Sequence, residues 1–172
     1  MVAKKICIIG DFAVGKTSLV RRHVLDEFDF DYHATLGVNV YKYTAEIEAA
    51  NGSALSVEQI IWDLEGGAEP SALQQTYLQG ASGALIVGDI GRENAIQSLL
   101  SHAHIVADTL PGRPMLFALN KSDLLADGAA APDEQPLLDA FGQGYMRTSA
   151  KTGAKVTELF NSLARRIIEV GA

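Results

Sequence analysis

Apolar residues recur along this chain with two different periods, and the periods alternate. Lys5-Ile6-Cys7-Ile8-Ile9 is a short apolar run that reads as a strand, and Ser18-Leu19-Val20-Arg21-Arg22 behind it reads as the start of a helix. Gly37 to Tyr43 alternates like a half-buried strand, Asn51-Gly52 signals a hairpin turn, and Leu55 to Trp62 returns antiparallel to the first strand of that hairpin. Ala84-Leu85-Ile86-Val87 and Pro114 to Leu119 are continuous apolar runs, as expected of parallel strands covered on both faces. Glu93 to Leu110 reads as a helix stopped by Pro111-Gly112, and Val156, Leu159, Phe160, Leu163, Ile167 and Val170 form a helical stripe near the C-terminus. Ala126 to Pro132 reads as a surface loop. The order β-α-β-β-α-β-α-β-α-β-α predicts an α/β fold in three layers: a six-stranded, mostly parallel sheet with one antiparallel edge strand and helices on both faces. Ligands of such sheets sit at the C-terminal ends of the strands.

Composition limits what can bind there. A chain of 172 residues, 48% of them hydrophobic, can bury one sizeable core, and no repeat or linker divides it, so one domain over 1–172 is expected. The formal charge of −7, with no cluster of Lys or Arg, excludes a general nucleic-acid binder. The single cysteine, Cys7, lies among isoleucines and reads as core rather than as a reactive thiol. No basic-then-apolar leader opens the chain, and no apolar run approaches the roughly 20 residues that span a bilayer. The expectation is an intracellular, cytoplasmic protein.

Chemistry enters between the first strand and the first helix. Gly10-Asp11-Phe12-Ala13-Val14-Gly15-Lys16-Thr17 is a complete G-x-x-x-x-G-K-[ST] loop, the phosphate-binding loop of P-loop NTPases. Its backbone N–H groups, from Ala13, Val14, Gly15, Lys16, Thr17 and Ser18, are expected to converge on phosphate oxygens. The Lys16 ammonium reaches the outer phosphates and the Thr17 hydroxyl can ligate Mg²⁺. Asn120-Lys121-Ser122-Asp123 follows the fifth strand, where the Asp123 carboxylate can accept two hydrogen bonds from guanine, a donor pair that adenine lacks. Thr148-Ser149-Ala150-Lys151 follows the sixth, where backbone N–H groups at Ser149 and Ala150 can bond the guanine O6 and Lys151 can pack along the base.

These segments, in this order and over nearly the whole chain, resemble the small GTPases of the Ras superfamily, nearest to the Ras and Rab branches. The resemblance implies that Phe28 covers the guanine edge, and that Tyr32 and Thr35 belong to a first switch loop whose Thr closes on Mg²⁺ and the γ-phosphate. It implies that Asp63, in Trp62-Asp63-Leu64-Glu65-Gly66-Gly67, holds Mg²⁺ and that the Gly66 N–H touches the γ-phosphate. Thr17, Thr35 and Asp63 are then the metal residues, and Lys16, Thr35 and Gly66 the groups acting on the transferred phosphoryl. Residues 32–43 and 62–78 are where such proteins meet effector, exchange and activating partners, and Tyr41, Tyr43 and Trp62 lie there, with core packing an equal alternative for each.

Departures from the family fall on catalysis. The glutamine that orients the attacking water is replaced by Gly67, so intrinsic hydrolysis of GTP to GDP and phosphate should fall by roughly one to two orders of magnitude or more. Phe12 occupies a loop position that is usually small; it either crowds the γ-phosphate and an incoming arginine or folds over the switches as packing. Glu65 is either a substitute water-positioner or a solvated carboxylate, and Asp26, Glu27, Asp29 and Asp31 either recruit a basic partner or are simply solvated. His33 reads as an exposed loop residue, and His102 and His104, two apart on a helix, make no metal pair. The chain shows no cysteine for prenylation at its end and no glycine after Met1 for myristoylation, so no lipid anchor is expected. A slow GTPase switch is the first reading; a GTP-dependent scaffold without appreciable hydrolysis is the alternative.

Overall fold

Alternating periodicity becomes alternating structure in the computed structural model, which describes residues 1–31, 33–48, 52–67 and 71–171. The elements are β1 (Val2–Gly10), α1 (Lys16–Leu25), β2 (Val38–Glu48), β3 (Ala54–Leu64), α2 (Ala72–Leu78), β4 (Gly83–Asp89), α3 (Ala95–Thr109), β5 (Met115–Asn120), α4 (Gln135–Phe141), β6 (Tyr145–Arg147) and α5 (Val156–Val170). Strands lie in the order β2-β3-β1-β4-β5-β6, with β2 antiparallel to β3 and every other pairing parallel. The mixed six-stranded sheet is therefore the expected one, with β2 at one edge. Asn51 of the expected hairpin turn lies outside the described residues; Gly52 beside it takes φ +79°, a left-handed value that favours glycine.

Two apolar layers hold the sheet, one against each face. On β1 the alternation sends Ile6 and Ile8 to the face under α1 and α5, and Cys7 and Ile9 to the face under α2, α3 and α4. Strands β4 and β5 are buried along nearly their whole length, which explains their unbroken apolar runs. Helix α5 buries Val156, Leu159, Phe160, Leu163, Ala164 and Ile167, a stripe at helical spacing. Each fully buried Leu, Ile or Phe contributes roughly 1.5–3 kcal/mol, so these two layers, not the strand hydrogen bonds, supply most of the driving force. Burial pushes the Cys7 thiol up to about 12, in keeping with a core residue. Among the described residues no helix is long and apolar enough to cross a membrane.

A buried polar pair, His23 and Gln59, sits inside the α1–α5 layer. His23 of α1 stacks on Phe160 at 4.2 Å and 3°, leans on Tyr43, and shares 2.9 Å with the Gln59 amide oxygen, to which Nε2–H donates. Its Nδ1 is buried with no hydrogen-bond partner. Burial pulls the imidazole down to about 4, although the Gln59 hydrogen bond pushes it up. The unfolded chain takes up that proton near pH 6.5 and the folded chain does not, so stability is complete above pH 6.5 and drains away as pH falls toward 4. The loss attributable to His23 is roughly 3 kcal/mol at most. Urea unfolding from pH 7 to pH 4 should show a fall in stability steeper in the wild type than in His23→Phe; parallel curves would remove His23 from the acid sensitivity.

Candidate functional site

At the C-terminal end of β1 the chain must reverse into α1 while keeping its N–H groups pointed into one concavity. It does so by tying each successive carbonyl the other way. Lys16 Nζ donates to Gly10 O (3.0 Å) and Asp11 O (2.8 Å), Arg92 to Phe12 O (2.7 Å), Lys121 Nζ to Ala13 O (2.6 Å), and Asn120 Nδ2 to Val14 O (3.0 Å). Asp89 stands behind two of these donors, 2.8 Å from Lys121 Nζ and 3.8 Å from Arg92 Nε. Gly15, at φ +97°, can only be glycine: a Cβ there would lie 2.3 Å from the Asn120 amide nitrogen. The loop is held from below as well, because the buried His102 ring on α3 donates from Nε2 to Asp11 Oδ1 at 3.0 Å.

A cavity of about 350 Å³ opens over this loop. Ala13, Gly15, Lys16, Thr17, Ser18, Phe28, Thr35, Gly66, Asn120, Lys121, Asp123, Ala150 and Lys151 all line it, so thirteen of the expected residues converge from six separate segments. Val14 is buried beneath the loop and Ser149 beneath the rim, where its hydroxyl donates to Asp123 Oδ1 at 2.6 Å. Tyr32 lies outside the described residues. The N–H of Ala150 does not stand open as expected: it donates to Asn120 Oδ1 at 3.2 Å, and that of Ser149 to Ala154 O at 3.1 Å. Arg21, Asp29, Phe30 and Leu124 also line the cavity. Of these, only Asp29 is marked in the sequence, as part of the acidic run; the rings of Phe28 and Phe30 meet edge-on at 5.1 Å. The bonds of Arg92 and His102 left no local signal, because their partners Phe12 and Asp11 are far away along the chain.

Three oxygens gather at the inner end. Thr17 Oγ1 donates to Asp63 Oδ2 at 2.6 Å and lies 2.6 Å from Thr35 Oγ1. Asp63 is fully buried, and its Oδ1 has no hydrogen-bond partner. Burial pushes its carboxyl up to about 6, against the Thr17 hydrogen bond and the Lys16 ammonium, which lower it. An orphaned carboxylate oxygen beside two hydroxyls is a hard, all-oxygen donor set, which fits Mg²⁺ completed by phosphate and water. Lys16 is itself nearly buried, and desolvation pulls its ammonium down to about 8 while Asp63 and Asp11 support the charge.

The outer end is tight. A Cβ on Gly66 would come within 2.7 Å of Phe12 Cα and 2.8 Å of Lys16 Nζ, so the segment after β3 reaches this place only as glycine. Phe12 itself stands at the cavity rim with half its surface exposed. Gly67 N–H donates to Gly10 O at 3.4 Å, and as glycine it has no side chain to turn toward the cavity. Glu65 is exposed and does not line the cavity; its Oε2 accepts from Gly37 N–H at 3.1 Å. The acidic run is partly matched from within the chain, Arg21 to Glu27 at 3.1 Å and Arg22 to Asp26 at 3.0 Å. Trp62 packs on Tyr77 under the Lys5 ammonium, which sits 3.9 Å from its ring centre, while Tyr43 leans on His23. His33 is exposed, and His104 faces the Phe141 ring, apart from His102.

Comparison with known proteins agrees with this arrangement. The family model described as Ras family matches residues 5–169. The Ras-related protein RABF2b of Arabidopsis thaliana is 34% identical over 168 residues, covering 96% of this chain and 82% of that protein. Ras-related protein Rab-13 of Mesocricetus auratus is 31% identical across 95% of this chain and 79% of its own length. Ras-related protein Rab-22A of Homo sapiens is 31% identical across 95% and 82%. With the phosphate-loop sequence, the segments 120–123 and 150–151 and the glycine-tight approach at Gly66 assembled around one cavity, and with relatives matching it nearly end to end, this chain belongs to the Ras family of small GTPases, on its Rab-like side.

Proposed function

We propose that residues 1–172 form one guanine-nucleotide-binding domain that works as a switch with slow intrinsic hydrolysis of GTP. The observation that carries this reading is the convergence of Lys16, Asp123, Thr17 and Thr35 on one cavity, with the buried Asp63 bonded to Thr17 behind its wall. In that reading the loop amides from Ala13 to Ser18 and the Lys16 ammonium hold the β- and γ-phosphates, while Asp123 accepts from the guanine and Phe28 and Lys151 cover the base. Thr17, Thr35 and Asp63 would hold Mg²⁺, which when bound supplies charge neutralisation between the phosphates. Thr35 and the Gly66 N–H sense the γ-phosphate.

Gly67 keeps hydrolysis slow. Positioning is most of what these sites contribute to phosphoryl transfer, and Gly67 has no group with which to hold a water. Phe12 at the rim stands where an arginine from an activating partner would enter, so partner-driven acceleration would be hindered too. Effector, exchange and activating proteins are assigned to residues 32–43 and 62–78, along the β2 edge and the second switch. A buried thiol and an intracellular nucleotide suit a cytoplasmic setting. The scaffold reading, in which hydrolysis plays no part, rests on the same Gly67.

Single-turnover hydrolysis separates the two. Gly67→Gln should raise the rate of GTP cleavage by at least about tenfold over the wild type if only the water-positioning group is missing; an unchanged rate favours the scaffold. Base recognition has its own test. Asp123→Asn should weaken GTP by roughly 100-fold or more and favour xanthine nucleotides, because an amide offers the donor that a 2-oxo group needs. Unaltered GTP affinity by competition would overturn the assignment of Asp123.

A further inference from the structure

The antiparallel ladder between β2 and β3 ends at Val38 opposite Leu64, yet the two chains stay bonded one step further, between the loops on which the γ-phosphate reading rests. Glu65 N–H donates to Gly37 O at 2.8 Å. A regular ladder would return the bond through a backbone carbonyl. Gly37 instead turns at φ +69°, and its N–H is met by the Glu65 side chain at Oε2, 3.1 Å away. A third bond runs on to α2: the Gln74 side-chain amide donates to Glu65 O, while the rest of Gln74 closes a capping box with Ser71 at the helix start. One residue therefore joins the first switch, the second switch and the helix behind it.

The neighbours of this clasp give it consequence. Gly37 is two residues from Thr35, whose hydroxyl lies 2.6 Å from that of Thr17, and Glu65 directly precedes Gly66, which touches the phosphate loop at Phe12 and Lys16. Holding Gly37 to Glu65 thus holds both γ-phosphate-sensing residues at their posts. All the groups in the clasp are protein groups, so its contribution is the same whichever nucleotide is bound.

We infer that Glu65 is a positioning residue that keeps the two switch loops closed in the GDP form as well as the GTP form, so that the surface facing partners discriminates weakly between the two nucleotides. This inference rests on the guanine-nucleotide reading above. A ligand shifts a two-state equilibrium only by its differential affinity, and a constant bias toward the closed state narrows the shift left for the γ-phosphate. An exposed hydrogen bond to a carboxylate biases that ratio by roughly tenfold.

Amide hydrogen exchange on the full chain tests it, loaded with GDP or with a non-hydrolysable GTP analogue and read over peptides covering residues 33–38 and 64–67. In the wild type the GDP form should exchange these amides at least about tenfold below the unprotected rate, closed as the GTP-analogue form is closed. Glu65→Ala should speed exchange by about tenfold in both forms, because the clasp contributes equally to each; Glu65→Gln, which keeps an acceptor without the charge, should fall between. Unprotected switch amides in the wild-type GDP form, an acceleration confined to the GTP-analogue form, or no acceleration overturns the clasp. Binding of a fluorescent GDP, displaced by GTP and not by ATP, is measured on the same samples. A chain that fails there overturns the nucleotide reading, whereas one that binds GDP with loops indifferent to Glu65→Ala overturns the clasp alone.

Discussion

Everything in the site follows from the need to turn one short run of backbone inside out. A peptide unit carries its N–H and C=O on opposite sides, so a loop that aims its donors at a common point must aim its acceptors away, and buried acceptors need partners. Between Gly10 and Val14 each carbonyl receives one from a cationic or amide side chain: Lys16 twice, then Arg92, Lys121 and Asn120. Those donors come from the helix that follows the loop, from the end of β4 and from the end of β5. The parallel sheet is what delivers the three strand ends to one place, and the apolar layers on its two faces fix their spacing. Asp89 adds the counter-charge that keeps Arg92 and Lys121 side by side.

Charge is distributed to the same end. A protein carrying −7 overall lines its cavity with Lys16, Lys121, Lys151 and Arg21 against Asp29, Asp31 and Asp123, so the cavity itself is not negative within a net-negative chain. The acidic run after α1 is partly neutralised by Arg21 and Arg22. Exposed pairs of this kind are worth about 0–1 kcal/mol each, too little to stabilise the fold but enough to orient the loop that carries Phe28 and Phe30 over the cavity.

Local patterns were legible and distant pairings were not. The strands, the helices and their order could be read because periods of 2 and 3.6 residues and continuous apolar runs are properties of neighbouring positions. The phosphate loop and the segments Asn120–Asp123 and Thr148–Lys151 could be read because each packs its chemistry into a few consecutive residues. The Glu65 bond could not be read because its partner, Gly37, lies 28 positions away. The spacing of His102 and His104 excludes a metal pair but says nothing of Asp11, which lies 91 positions from His102, and Arg92 carries no motif at all although it holds Phe12 O across 80. The bonds made by the Ser149 and Ala150 N–H groups were not legible for the same reason: the acceptors they meet, Ala154 O and Asn120 Oδ1, are set by how the loop folds, not by its composition.

Asn120 and Lys121 serve both ends of the cavity, since the segment they begin lines one end while their side chains grip Val14 O and Ala13 O of the phosphate loop. The site is for that reason one mechanical piece rather than two half-sites, and the loop that closes it follows a β6 strand only three residues long. A ligand that binds only the folded chain adds to its stability by mass action, so occupancy of this one piece would count toward the stability of both ends at once.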